Sequence, residues 1–237
     1  MEKIRLKAPE RRRHILDTAT VLFAERGFDG LTTKDLARRL GITEPVLYQH
    51  FASKEALWRE VQRLNRFPFA EWERHARAAA PSTRQFMLIT GMLVWGITLG
   101  RRPGAMEALS GHGQILRLLG HGLFETEGPL CGHQEHFSHT IFPWWMLSYQ
   151  AAHAAGDLDA PSVSDEPLWL AFRQMLALGL MEAGRPHLTV SWDSEKERYI
   201  HIARALLRGL GMREEVIRRE LSFAKTYQSF HSRADIP

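Results

Sequence analysis

One cysteine, Cys131, is present in 237 residues. No intrachain disulfide can form, a cysteine-rich zinc site is excluded, and a reducing compartment is the expected setting. No apolar run is long enough for a bilayer. The longest, Phe86–Leu99, is broken by Gly91 and Gly96, and falls short of the roughly twenty residues a membrane helix needs. The opening stretch MEKIRLKAPERRR lacks the apolar segment of a signal peptide, so a cytoplasmic protein without membrane contact is expected. No apolar/polar alternation of four or more residues suggests a strand, and there is no internal repeat or low-complexity tract. A glycine-rich phosphate loop, a Gly-x-Ser-x-Gly elbow and a His-Glu-x-x-His pair are all missing, so neither an enzyme nor a cofactor is expected. Excess positive charge is confined to one end. Residues 1–63 hold thirteen Lys/Arg against nine Asp/Glu, whereas residues 64–237 hold eighteen of each. That asymmetry fits either a polyanion partner or a solvated basic tail.

Helical periodicity runs through almost the whole chain. Ile15, Leu16, Ala19, Leu22 and Phe23 make one stripe of a first helix from about Pro9 to Arg26, with Arg11, Arg12 and Arg13 on its wet side. Gly27 and Gly30 end it. Thr32 and Asp35 have the spacing of a capping box for a second helix, which carries Leu36, Ala37 and Leu40 inward and stops at Gly41. Ile42 reads as a buried plug, Thr43 as the cap of a third helix and Pro45 as part of its first turn. Ser53 caps a fourth helix through Leu57, Trp58 and Val61. Further helical segments are expected at 69–80, 82–100, 103–110, 113–125, 133–155, 166–183, 194–210 and 213–229, with the stretch 156–167 the most loop-like.

Two short helices around a glycine turn, with small Ala37 at their crossing and Val46 and Leu47 pinning the second to the first, make a corner whose exposed face suits a major groove. The stretch TTKDLARRLGITEPVLYQHFASKEAL resembles the TetR family of bacterial regulators. The likeness rests on Thr32-Thr33, Leu36-Ala37, Leu40-Gly41-Ile42, Leu47-Tyr48, His50-Phe51 and Ser53-Lys54-Glu55. It implies an all-α fold. A three-helix helix-turn-helix DNA-binding domain would occupy residues 1–53, and a helical ligand-binding and dimerisation domain 54–237. It further implies phosphate contacts by Thr33 and Lys54, backbone contacts by Tyr48 and His50, and positions near base edges for Thr43, Glu44, Pro45 and Gln49. Lys34 is a further groove or phosphate candidate. Such proteins bind palindromic double-stranded DNA as two-fold homodimers. The resemblance puts the dimer seam on the last two helices, with Leu168, Phe172, Met175, Leu176, Ile202 and Leu206 as its candidates. Segment 213–229 goes beyond that plan.

The middle of the chain is rich in Met and aromatic residues. Met92, Trp95, Phe124, Phe137, Trp144, Trp145 and Tyr149 would line a site for a small apolar or planar inducer, or else fill a core. Cys131, His133, His136 and His139 follow one another at short spacing, so His133 and His136 could chelate a metal one helical turn apart. A repressor released by a small molecule is the expected function. A metal-responsive repressor using His133 and His136, and a DNA-organising protein without an inducer, are the alternatives.

Overall fold

The computed structural model describes residues 7–65, 67, 69–99, 111–121, 129–160, 162–184 and 192–222. They fold into α-helices without a β-strand among them; a lone bridge pairs Leu158 with Met212. No helix among them is long and apolar enough to cross a membrane. The chain divides into two units, one built from residues 1–66 and 101–132, the other from 67–100 and 133–237.

The first unit contains α1 (Ala8–Arg26), α2 (Thr33–Leu40), α3 (Glu44–His50), α4 (Lys54–Leu64) and α7 (Gly111–His121). Helix α1 starts where Lys7 is extended and its N–H donates to the Glu10 carboxylate at 3.0 Å, with Pro9 in the first turn, where its missing N–H is not needed. Ile15, Leu16, Ala19, Leu22 and Phe23 are buried along one face. They meet Leu36 of α2, Leu47 of α3, Leu57, Trp58 and Val61 of α4, and Leu118 of α7 in one core. Phe23 and Trp58 rings lie 4.8 Å apart, and Phe28 closes over them. Each buried aromatic of this kind contributes about 1.5–3 kcal/mol through the water it leaves. Ile42 is only partly buried beside this core, a looser plug than its sequence position suggests. The α7 helix also brings a His121 ring nitrogen to 3.3 Å from the Ala24 carbonyl oxygen.

The second unit contains α5 (Phe69–Ala76), α6 (Thr83–Val94), α8 (Pro129–Thr140, from His133 onward), α9 (Phe142–Ala154), α10 (Glu166–Gly184), α11 (Glu195–Gly209) and α12 (Glu214–Glu220). Helix α6 is its axis. Phe86, Met87, Ile89, Met92, Leu93 and Val94 are buried, and a helix apolar all round has to be surrounded. Its polar groups are therefore paired. Gln85 donates to the carbonyls of His75 and Ala76 at 3.1 and 2.7 Å, closing the end of α5. Thr90 donates to the Phe86 carbonyl and accepts from the Trp145 indole N–H, both at 2.8 Å. Helix α6 continues into a π-helical turn, Trp95–Leu99. A Cβ on Gly96 would stand 2.2 Å from the Trp72 ring, so only glycine fits there. The Thr98 carbonyl at the end of this turn accepts from the Arg198 guanidinium at 2.7 Å.

Three sequence expectations change. The segment 133–155 is two helices, because Pro143 in the first turn of α9 has no N–H for a continuous ladder. The last helix, expected over 213–229, ends at Glu220, where Leu221 turns extended; 223–229 lie outside the described residues. Thr43 has the extended backbone of a cap, yet its hydroxyl makes no capping bond. Segment 103–110 lies outside the described residues.

Thr90→Val would leave the Trp145 indole N–H buried without an acceptor. The expected cost is about 1–3 kcal/mol, read as a Tm several degrees lower in thermal unfolding. An unchanged Tm would remove this bond from the account of the core.

Candidate nucleic-acid interface

A seven-residue helix is too short to hold itself, so α3 depends on what surrounds it. Gly41 stops α2 in the left-handed conformation, φ 66°, and its neighbour Ile42 donates back to the Ala37 carbonyl at 3.0 Å. Glycine is the residue that takes this turn without a Cβ penalty. Pro45 then sits in the first turn of α3. Leu47 and Phe51 bury one side of the helix, while Thr43, Pro45, Tyr48 and Gln49 face solvent.

The far end of α3 is held by a residue that the sequence places on the wet side. The Arg12 guanidinium donates to the His50 carbonyl at 3.0 Å and to Glu60 at 3.4 Å, and lies 4.2 Å over the Phe51 ring. A cation on the last carbonyls of a helix satisfies orphan acceptors and complements the dipole. Arg12 therefore ties α1 to α3 and α4. No local pattern marks this role, because both partners are far from Arg12 in the sequence.

At the near end, Thr33 donates to the Glu44 carboxylate at 2.7 Å, and the Tyr48 hydroxyl lies 3.5 Å from the Thr33 hydroxyl. Thr33, Glu44 and Tyr48 thus meet across the turn. Lys54 follows the Ser53 cap and holds its ammonium 4.2 Å over the Phe28 ring, which fixes a flexible side chain at the start of α4. Lys34 is exposed and His50 half-buried.

Hydrogen bonds and cations favour the ionised form of three nearby carboxylates. The Thr32 hydroxyl, at 2.6 Å, holds Asp35 below the ordinary carboxylate range, with Arg38 adding to it. The Ser53 hydroxyl does the same for Glu55, and Arg63, with a smaller contribution from Arg12, for Glu60. Each of these values is depressed by folding. Their contribution is full above the ordinary carboxylate range and lost as pH falls through the lowered values.

The inducer-site candidates are packed residues. Phe137 stacks on Phe172 with centroids 4.0 Å apart, Trp145 is bonded to Thr90, and the Tyr149 hydroxyl donates to the Leu210 carbonyl at 3.1 Å. Burial raises the Tyr149 phenol above its ordinary value. Met92 and Trp95 are buried, and Trp144 is half-buried beneath Arg77. Phe124 lies outside the described residues. The metal alternative finds no support. His133 is buried edge-on to Phe67 and Phe69, His136 faces Phe69, and no group of three candidate ligands exists among the described residues.

The dimer candidates are packed residues too. Leu168, Phe172, Met175, Leu176, Ile202 and Leu206 are all buried within a single chain, so they belong to its own core. Helical spacing fixed which residues share a face, but not which face of α10 and α11 turns inward. The large apolar residues left exposed among the described ones of α10 are Leu170, Leu178 and Met181, at 58%, 38% and 62%.

A short helix presented on a glycine turn, over a core shared with α1, α2, α4 and α7, defines a helix-turn-helix domain, the mark of a DNA-binding transcriptional regulator. The family model for bacterial regulatory proteins of the tetR family matches residues 15–61. Tetracycline repressor protein class D of Escherichia coli is 30% identical over 209 residues, covering 84% of this chain and 88% of the relative. The chain belongs to the TetR family. Among solved structures, SmeT, the repressor of the Stenotrophomonas maltophilia multidrug efflux pump SmeDEF, shares the fold. Its TM-score is 0.58 at 16% identity, over 86% of this chain and 92% of that one. AibR in complex with isovaleryl coenzyme A and operator DNA has a TM-score of 0.54 at 16% identity, over 86% and 100%.

Arg12→Ala should loosen α3 without unfolding the unit. Amide exchange at Leu47 and Phe51 is expected to rise about three- to tenfold, from the loss of a charge-assisted helix stop. Exchange rates equal to wild type would show that Leu47 and Phe51 packing alone hold the helix.

Proposed function

We propose that this protein is a cytoplasmic repressor that binds a palindromic operator as a homodimer and is released by a small apolar or aromatic ligand held in its second domain. The observation that carries the reading is the solvent-facing side of α3, with Thr43, Pro45, Tyr48 and Gln49 presented and both helix ends tied down. In this reading Lys54, Tyr48 and Thr33 anchor phosphates. Lys34 and His50 add backbone contacts, while Thr43, Glu44, Pro45 and Gln49 approach base edges. The excess of positive charge within the first 63 residues supports it. The DNA-binding domain is assigned to residues 1–53, and the sensing and dimerisation domain to 54–237.

The named relatives include a repressor called after tetracycline and a structure holding an acyl coenzyme A. A ligand acts by preferring one of two populated states, so its differential affinity sets the degree of release. The aromatic interior suits an apolar ligand. The dimer is assigned to the outer face of α10, where Leu170, Leu178 and Met181 make a helical stripe that a partner copy would cover.

The test is selection of duplexes from a random pool by the full chain, followed by titration of the recovered sequence. A palindromic consensus is expected; recovery of no sequence would sink the reading. Tyr48→Phe and Lys54→Ala should each weaken binding, and Lys54→Ala should lower the slope of log affinity against log salt by about one for its lost phosphate contact. An unaltered slope would take Lys54 out of the interface. Leu170→Asp combined with Met181→Asp should give a folded monomer in sedimentation equilibrium. A dimer that survives both substitutions would move the seam elsewhere.

A further inference from the structure

Thr33 is a phosphate anchor in the proposed interface, yet its hydroxyl proton is already committed, donated to the Glu44 carboxylate at 2.7 Å. The same oxygen lies 3.5 Å from the Tyr48 hydroxyl, a second backbone-contact residue. Glu44 and Tyr48 are four residues apart on α3, and so share one face. The carboxylate is half-buried and has no ion-pair partner among the described residues. An unneutralised negative charge therefore stands on the very hydroxyl that is to receive a phosphate, with the Tyr48 hydroxyl on that oxygen's other side at 3.5 Å. A phosphate that takes the Thr33 hydroxyl must displace the carboxylate, and while the carboxylate stays it repels the phosphate.

From this juxtaposition we propose that Glu44 is a specificity gate: its carboxylate holds Thr33 against generic DNA and gives it up only where a cytosine amino group in the major groove donates to the displaced carboxylate. Resting on the DNA-binding reading above, the proposal adds to it a residue that lowers affinity for the wrong sequence. The chemistry is specific. Among the base edges of the major groove, cytosine N4–H2 offers a donor without the adjacent N7 acceptor that adenine presents, and a carboxylate only accepts. At a non-cognate step the carboxylate has either to stay on Thr33, blocking the anchor, or to meet guanine and thymine acceptors or an adenine amino group flanked by its N7 acceptor. Discrimination is then produced by a repulsive element as well as an attractive one. A Glu44 without this role would be a structural tie between α2 and α3. Glutamine would preserve such a tie, because its carbonyl oxygen still accepts from Thr33.

The experiment compares wild type, Glu44→Gln and Glu44→Ala on two probes, a random-sequence 30-bp duplex and the duplex selected by wild type. On the random duplex Glu44→Gln should bind about five- to tenfold more tightly, the effect of removing one like charge near a phosphate. In a fresh selection its consensus should lose a C·G pair at one fixed position in each half-site. Glu44→Ala should behave alike on the random duplex. Equal or weaker binding of Glu44→Gln to random DNA, or an unchanged consensus, overturns the gate and leaves Glu44 a tie. Failure of wild type to select any duplex would instead overturn the DNA-binding reading, so the two failures are told apart.

Discussion

Seven residues give α3 fewer internal hydrogen bonds than it has unsatisfied backbone groups at its two ends. Nearly everything else in the first unit follows from that deficit. The helix is supported on three sides by parts of the chain that are not its own. Leu47 and Phe51 sink into a core shared by α1, α2, α4 and α7; Arg12 closes its last carbonyl; Thr33 meets its first carboxylate. Those supports leave most of the outer face without a structural duty, so in the proposed function its polar residues would be free for recognition. Rigid presentation also reduces the side-chain and backbone ordering that binding would otherwise cost.

Most of this was legible in the sequence, for physical reasons that differ by element. The starts of α2, α4, α6 and α11 are marked by Thr32, Ser53, Ser82 and Ser194, whose hydroxyls accept from a backbone N–H three residues on. Gly41 marks a stop because the turn requires a positive φ. Such local signals travel with the residues themselves. Arg12 was not legible as a helix stop, since its partners, His50 and Glu60, are 38 and 48 residues away. Glu44 was visible as an exposed acid on the third helix, but its engagement with Thr33 depends on the angle between two helices, which periodicity does not fix.

The second unit was legible in class and less so in detail. Periodicity gave helices, but it could not decide which apolar stripe faces the chain's own interior when two faces are apolar. Leu168 and Met175 went inward; Leu170 and Met181 stayed outside. Aromatic richness was similarly ambiguous. Phe137, Trp145 and Tyr149 are tied to Phe172, Thr90 and Leu210, so a ligand would have to share an interior whose polar handles are already used. The π-helical turn at Trp95–Leu99 had no sequence signal beyond Gly96, whose role follows only from Trp72 standing against it.

The chain leaves the first unit at residue 66 and returns to it at 101, and this interleaving bears on how the molecule is made. Leu118 belongs to the same core as Phe23 and Trp58, and His121 lies at the Ala24 carbonyl 97 residues upstream. During synthesis the helix-turn-helix can form its local contacts early, yet its core stays incomplete until α7 has emerged from the ribosome. Contacts of such sequence separation form late because closing the loop between them costs entropy first. A nascent regulator therefore passes through a stage in which the headpiece is recognisable but its floor is missing.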